Sequence, residues 1–389
     1  MRKWLYGVLA VVAAGCAGAP VPPAGTGGGA VRPLEAPWTM EGGGPARVSR
    51  SGAVLPESLD SQRMIPLVAD PGYRPEEYAT PLVAEGVAYV GHAGRAFAAV
   101  RLKDEKVLWS LKTRGRIYTT AAYVDGLFVI GDDQGTVRAV DTSGTEVWSF
   151  TVRYPVVSSP VAADGRVFVA VADQNVFCLD AASGSPIWQY GRKLPRRNPI
   201  WRGMGLCYGG GRVYATFADG TVVALDPEVG EVLWRAQVGS AEWFGDAVGG
   251  PAYRDGRVYA GAFRGPVVCL DASTGETLWS AEVATLGPFA VGDERLYAAT
   301  PSETLAALSL EDGSILWEKS YKAGALAPPV FTPRALVTAS AKGQLIVVDP
   351  STGEKREGYL LGTGFRGQPL VYPGGVVLLS DAGTLFWVK

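Results

Sequence analysis

The sequence is poor in the side chains that most enzymes use for chemistry. It has a single histidine, His92, in 389 residues, which excludes a multi-histidine metal centre and a standard histidine triad. That residue stands in "VGHAGR", which reads as a solvated turn. Cysteine occurs four times and never as an adjacent pair. Cys178 and Cys269 fall in equivalent places, one residue before Leu-Asp, where related segments carry Ala139, Ala224 and Ala307. They read as small buried apolar residues, with Cys207 as a third thiol, rather than as a disulfide framework. Neither sign of charge dominates, with 36 Lys and Arg against 38 Asp and Glu. No global basic face for nucleic acid is implied. A long apolar run is also missing, because the one candidate, after Arg2 and Lys3, is too short to span a bilayer comfortably.

What that run does have is the form of a secretion signal, "MRKWLYGVLAVVAAGC". Small residues directly before Cys16 resemble the lipobox of bacterial lipoproteins, although Ala13 stands where that motif usually has leucine. The resemblance implies that residues 1–15 are a signal peptide and that Cys16 is lipidated and becomes the N-terminus. Ala17 in the next place favours, by the same resemblance, the outer membrane. Residues 16–37 mix Gly, Pro and Ala without period and read as a flexible tether.

The rest is repetitive. "LDASTGETLW" (270–279) has near copies at 139–148, 178–188, 224–234, 307–317 and 347–357, with a worn copy at 99–109. Trp109, Trp148, Trp188, Trp234, Trp279 and Trp317 are separated by 39, 40, 46, 45 and 38 residues, and Glu357 takes the next slot. A period near 40 marks a repeat architecture. Cutting residues 204–238 at their glycines leaves four short β-rich runs, an antiparallel meander. The motif becomes the hairpin between third and fourth strands. Its aspartate can accept turn amides and its glycine can supply positive φ. Its tryptophan, in the outermost strand, can pack on the next sheet as structural mortar.

Such sheets close into a ring that protects their edges, so the expected fold is an all-β propeller over residues 38–389. Seven blades are complete, near 78–113, 118–152, 157–191, 204–238, 248–283, 286–321 and 326–360. The C-terminal remainder supplies three strands, and its missing outer strand is expected from residues 59–70. Eight blades result.

Strand, Leu-Asp, Thr-Gly and Trp in this order resemble the PQQ-like β-propeller repeat over most of 78–389. That family includes quinoprotein dehydrogenases and noncatalytic lipoproteins. Lipobox, tether, blade number and size together resemble its outer-membrane barrel-assembly scaffolds. The resemblance implies docking, through the connections around blade four, to the periplasmic domains of a central barrel-assembly subunit. Trp201, Arg202 and Gly203 match the first contact segment and Asp246 the second, where Val248 replaces a further acid. It also implies a protein lipid-anchored at the outer membrane and facing the periplasm, with no cofactor, small-molecule substrate or nucleic acid. The dehydrogenases carry an adjacent cysteine pair and a calcium site, neither of which is recognisable here.

Spacing points to the same place. The 46- and 45-residue intervals are adjacent, and long loops on rigid scaffolds commonly bind. They hold Arg192, Lys193, Arg196, Arg197 and Arg202 with Trp201, Trp243 and Phe244, a mixture typical of protein-binding hot spots. Two other functions stay open: a quinone-dependent propeller enzyme, and a surface lipoprotein that binds another protein or a glycan.

Overall fold

The computed structural model describes residues 38–56, 59, 61–68, 76–192, 204–239, 250–263 and 265–389. These belong to one unit, Pro33–Lys389. Cys16 and the tether lie outside the described residues. So do Trp201, Arg202, Gly203, Trp243, Phe244 and Asp246.

Eight four-stranded antiparallel sheets form the propeller, and no helix occurs among the described residues. Blade 1 consists of strand A (Leu82–Ala84), B (Val87–His92), C (Ala96–Arg101) and D (Lys106–Lys112). The other blades repeat this order outward from the axis. The A strands are short because they crowd around that axis, where those of blades 2 to 5 touch in turn, as do those of blades 6 and 7 and of blades 8 and 1. Strands B and C are almost wholly buried between blades, whereas D strands alternate, with the tryptophan facing inward. This alternation follows from the two-residue period of a strand with one face packed.

Blade 8 takes strands A to C from the C-terminus and D from Gln62–Pro66. Met64 lies opposite Phe386 and Ile65 opposite Leu385, and Ser61 and Lys389 exchange two backbone hydrogen bonds of 2.9 Å. The expected closure is therefore made within residues 59–70. No C strand is left as an open edge.

The ring has two distinct faces. The A–B and C–D turns share one, tied by bonds such as Ala181 N to Gly165 O; we call this the hairpin face. The B–C turns and the connections between blades share the other, tied by bonds such as Val152 N to Gly135 O; this is the connection face.

One element has no counterpart in the sequence reading. Residues 38–53 form a strap across the hairpin-side mouth of the central channel. Its carbonyls accept the amides of Tyr123 (from Thr39), Tyr208 (Pro45), Tyr253 (Ala46), Val291 (Val48) and Phe331 (Ser49). The Ser51 hydroxyl donates to Val371 O at 2.8 Å, and Arg47 reaches blade 3 at Ser159 O, 2.6 Å away. The strap thus bonds blades 2 through 8, one after another. Arg47 and Ser49 adopt positive φ of 52° and 47°, a cost of roughly 1–2 kcal/mol per residue offset by the carbonyls this turns toward successive blades.

Candidate functional site

The repeated motif is a joint between blades. In each of six C–D turns, a carboxylate or hydroxyl at the Asp position accepts turn amides, as Asp271 Oδ1 does from Ser273 N (2.8 Å) and Thr274 N (3.0 Å). The Ser273 hydroxyl bond, followed by these amides, holds the Asp271 carboxyl below its usual range. The turn glycine takes positive φ, 78° at Gly275. The tryptophan of the preceding blade lies over that glycine and donates its indole N–H to a carbonyl of the same turn. Trp148 donates to Ala181 O, Trp188 to Pro227 O and Trp279 to Leu310 O, at 2.9, 2.9 and 3.1 Å. Trp109, Trp234 and Trp317 do the same to Thr142, Ala272 and Pro350.

The pattern changes around blade 8. Opposite Val347, the tryptophan slot of blade 7 is Glu357. In blade 8 the slot is Arg63, which donates to Lys103 O at 3.0 Å, pairs with Glu105 and lies over the Trp387 ring. A guanidinium fits this seam, whose blade 1 turn has Arg101 and Glu105 where other turns have the aspartate and the glycine, because its fork satisfies a carbonyl and a carboxylate together.

The channel is a well of about 500 Å³, floored by the strap and open toward the connection face. Its wall is largely apolar, including Met204, Phe263, Leu326 and Phe365. At the floor, buried Arg47 is paired with Glu41. At the rim, Arg366 approaches Glu76 and Asp381, each at 3.4 Å. Burial pushes the Asp381 carboxyl up, against the Glu77 amide and Arg366, which favour its charged form.

A quinone cofactor with several carboxylates would require unengaged cations here, and both lining guanidiniums already face carboxylates. Among the described residues no three His, Cys, Asp or Glu side chains group to hold a metal ion. The described residues of the well do not fit a quinone and calcium pair.

His92 corrects the sequence reading. It is buried, 4% exposed, and its Nδ1 accepts the Gly94 amide at 3.1 Å. Burial lowers its pKa to about 4. The three described cysteines are buried and unpaired. Burial raises Cys178 to about 12 and Cys269 to about 11, so neither is a nucleophile at neutral pH.

The residues expected to dock a partner lie outside the described ones, but the roots of both long connections are fixed. Arg192 binds Asp219 (2.7 Å), with its guanidinium 5.0 Å from the Phe217 ring centre. Gly205 N donates to Thr216 Oγ1 at 2.8 Å, and Gly239 N to Gly220 O at 3.0 Å. Met204, Gly205 and Gly250 line the well. Both connections therefore leave and re-enter neighbouring blades on the face where the well opens.

The family model described as outer membrane protein assembly factor BamB matches residues 98–319, 264–369 and 303–387. A curated protein of that description from Nitrosomonas eutropha is 26% identical over 115 residues, 30% of this chain and 28% of the relative. The aligned stretches span about a third or less of the curated BamB relatives. Among solved structures, BamB from Moraxella catarrhalis superposes with a TM-score of 0.73 at 20% identity, over 86% of this chain and 100% of that one. Quinohemoprotein alcohol dehydrogenase from Comamonas testosteroni superposes with a TM-score of 0.74 at 14% identity, over 90% and 80%. At such identities both likenesses show the propeller alone. With the family model covering most of residues 98–387, and with the strand order, turn motif and eight-bladed closure described above, the chain belongs to the outer membrane protein assembly factor BamB family of PQQ-like repeat propellers.

Proposed function

We propose that the protein is a noncatalytic scaffold for inserting β-barrels into the outer membrane. Residues 1–15 are a signal peptide, Cys16 carries the lipid, and residues 16–37 tether the propeller on the periplasmic side. The observation that carries this reading is the rooting of two lengthened connections side by side, on rigid blades, at one face. Trp201, Arg202 and Gly203 in the first and Trp243, Phe244 and Asp246 in the second are the proposed contacts to the periplasmic domains of the central barrel-assembly subunit. Large rings beside arginine suit an anchor that is desolvated on binding.

The test is binding of those isolated domains to wild type, Trp201→Ala, Arg202→Glu and Lys342→Glu, with thermal unfolding of each. Trp201→Ala is expected to cost about 2 kcal/mol, roughly thirtyfold in affinity, while Lys342→Glu, on another blade, binds as wild type. Equal affinities would remove this site. Quinone bound to the purified protein, with dye-linked alcohol or sugar oxidation, would overturn the noncatalytic reading.

A further inference from the structure

From blade 1 to blade 3 the connection face carries an uninterrupted backbone rim. Thr113 N donates to Arg95 O, Asp133 N to Arg116 O, Val152 N to Gly135 O, Ala172 N to Pro155 O and Arg192 N to Gln174 O. Exposed on this rim are Arg95, Arg114, Arg116 and Arg153. Two tyrosines accompany them. Arg116 donates to Tyr118 Oη at 3.1 Å, and the Arg153 guanidinium lies 5.6 Å from the Tyr154 ring centre.

Elsewhere on the ring some arginines meet carboxylates, as Arg101 meets Asp104 and Arg254 meets Asp255, and others are bonded singly to neutral oxygens, as Arg235 is to the Tyr190 hydroxyl and Arg257 to Leu310 O; what sets this arc apart is that its arginines are clustered. On this arc Arg95, Arg114 and Arg153 take part in no ion pair among the described residues. Acids nearby are engaged: Asp132 faces Arg138 at 3.8 Å, Asp133 accepts the Arg116 amide at 2.8 Å, and Asp219 holds Arg192. Asp173, also on the arc, takes part in no ion pair among the described residues. Placing like charges along one rim of a chain whose net charge is −2 disfavours the free protein, and a partner of opposite sign relieves it.

We propose that this arc is a docking surface for an acidic segment of a protein. Charge complementarity sets the sign of the occupant, and residue choice sets its class. Guanidinium groups form forked hydrogen bonds to carboxylates, and arginine with tyrosine is enriched in protein interfaces. An anionic bilayer is matched by basic residues with exposed aliphatic ones, and the described part of the arc exposes no large aliphatic side chain. The inference stands apart from the barrel-assembly reading, since its residues lie in a B–C turn and in other connections and would serve any acidic protein.

The probe is a fluorescein-labelled peptide of alternating Glu and Ala, followed by anisotropy with the full chain at low and physiological salt. Phosphatidylglycerol vesicles are assayed in parallel. The triple variant Arg95→Glu, Arg114→Glu, Arg153→Glu is compared with Lys103→Glu, Lys106→Glu, Lys355→Glu, which changes net charge equally away from the arc. Wild type binds the peptide, more weakly as salt rises, the arc variant loses about tenfold or more, and the control stays within about twofold. No peptide binding by wild type, equal loss in both triples, or arc-dependent binding of vesicles alone would each overturn the proposal. Should the arc triple unfold, the single variants Arg95→Gln and Arg153→Gln decide it, each weakening the peptide about two- to threefold, whereas unchanged affinity in both would refute it.

Discussion

Trp234 of blade 4 and Gly275 of blade 5 are in contact so close that a β-carbon on Gly275 would lie 2.6 Å from the indole ring. The same indole donates to Ala272 O at 3.0 Å, so ring position and turn conformation fix each other. Gly275→Ala therefore meets two penalties, a positive φ of 78° and a steric clash, and is expected to destabilise by about 3 kcal/mol. Trp234→Ala alone should cost about 3–5 kcal/mol. In the double variant the clash disappears, leaving Gly275→Ala a cost of only about 1 kcal/mol in that background. Chemical denaturation of the four proteins measures this coupling; additive costs would mean that the ring and the glycine do not constrain each other.

Arg47 is the strap's buried charge, paired with Glu41 and hydrogen-bonded to Ser159 O. Removing it strands a carboxylate and a carbonyl, so Arg47→Ala should lower stability by about 3 kcal/mol. Replacing both charges, as Arg47→Met with Glu41→Leu, should recover part of that loss, because no unpaired charge stays behind. Urea midpoints decide. A cost below about 1 kcal/mol for Arg47→Ala would show that the strap is not anchored through this pair.

How far these features could be read from sequence depended on whether they repeat. The turn motif did, so its aspartate, glycine and tryptophan were legible as parts, and the three-strand remainder revealed that the N-terminus closes blade 8. The strap was not legible, because "WTMEGGGPARVSRSGA" bonds mostly through its backbone, each bond to a different blade, and leaves no period. Arg63 was equally hidden, since only the fold places it in a tryptophan slot. His92 was misread because a Gly-flanked histidine resembles a solvated turn in sequence, while its burial depends on packing between blade 1 and the chain before it. The rim arginines escaped notice because they are spread over three repeats.

The buried cysteines serve as reporters of ring opening. Cys178, Cys207 and Cys269 lie in blades 3, 4 and 5, and burial raises the pKa of all three. A thiol reagent should label none of them in the native protein, and under mild denaturant should label all three at one common rate. That follows if a closed ring opens as a unit, since losing one blade exposes both its neighbours. Peptide mapping of the labelled sites would contradict cooperative opening if one cysteine reacted well ahead of the others.

Acid sensitivity near neutrality should trace to His92. Its pKa falls from 6.5 to about 4 on burial, so the folded state binds fewer protons than the unfolded chain between those values. Stability therefore rises with pH across that window. The contribution is fully present above about pH 6.5 and is lost as pH falls toward about 4, reaching about 3 kcal/mol in all and about 2 kcal/mol by about pH 5. Two features of the site agree with a neutral ring: Nδ1 accepts the Gly94 amide, and the nearby Glu77 carboxylate is occupied by the Ala93 amide at 3.0 Å. No other histidine titrates in this range, because the chain has only one. Unfolding free energies of wild type and His92→Gln should be compared at about pH 7.5 and about pH 5. The variant has its own fixed packing cost at both pH values, but its loss on acidification should be smaller than that of wild type by about 2 kcal/mol. If the two proteins lose stability in parallel, His92 is not the buried neutral group described here; the Asp381 carboxyl, whose pKa is raised by burial, cannot take its place, because a raised carboxyl favours the folded state as pH falls.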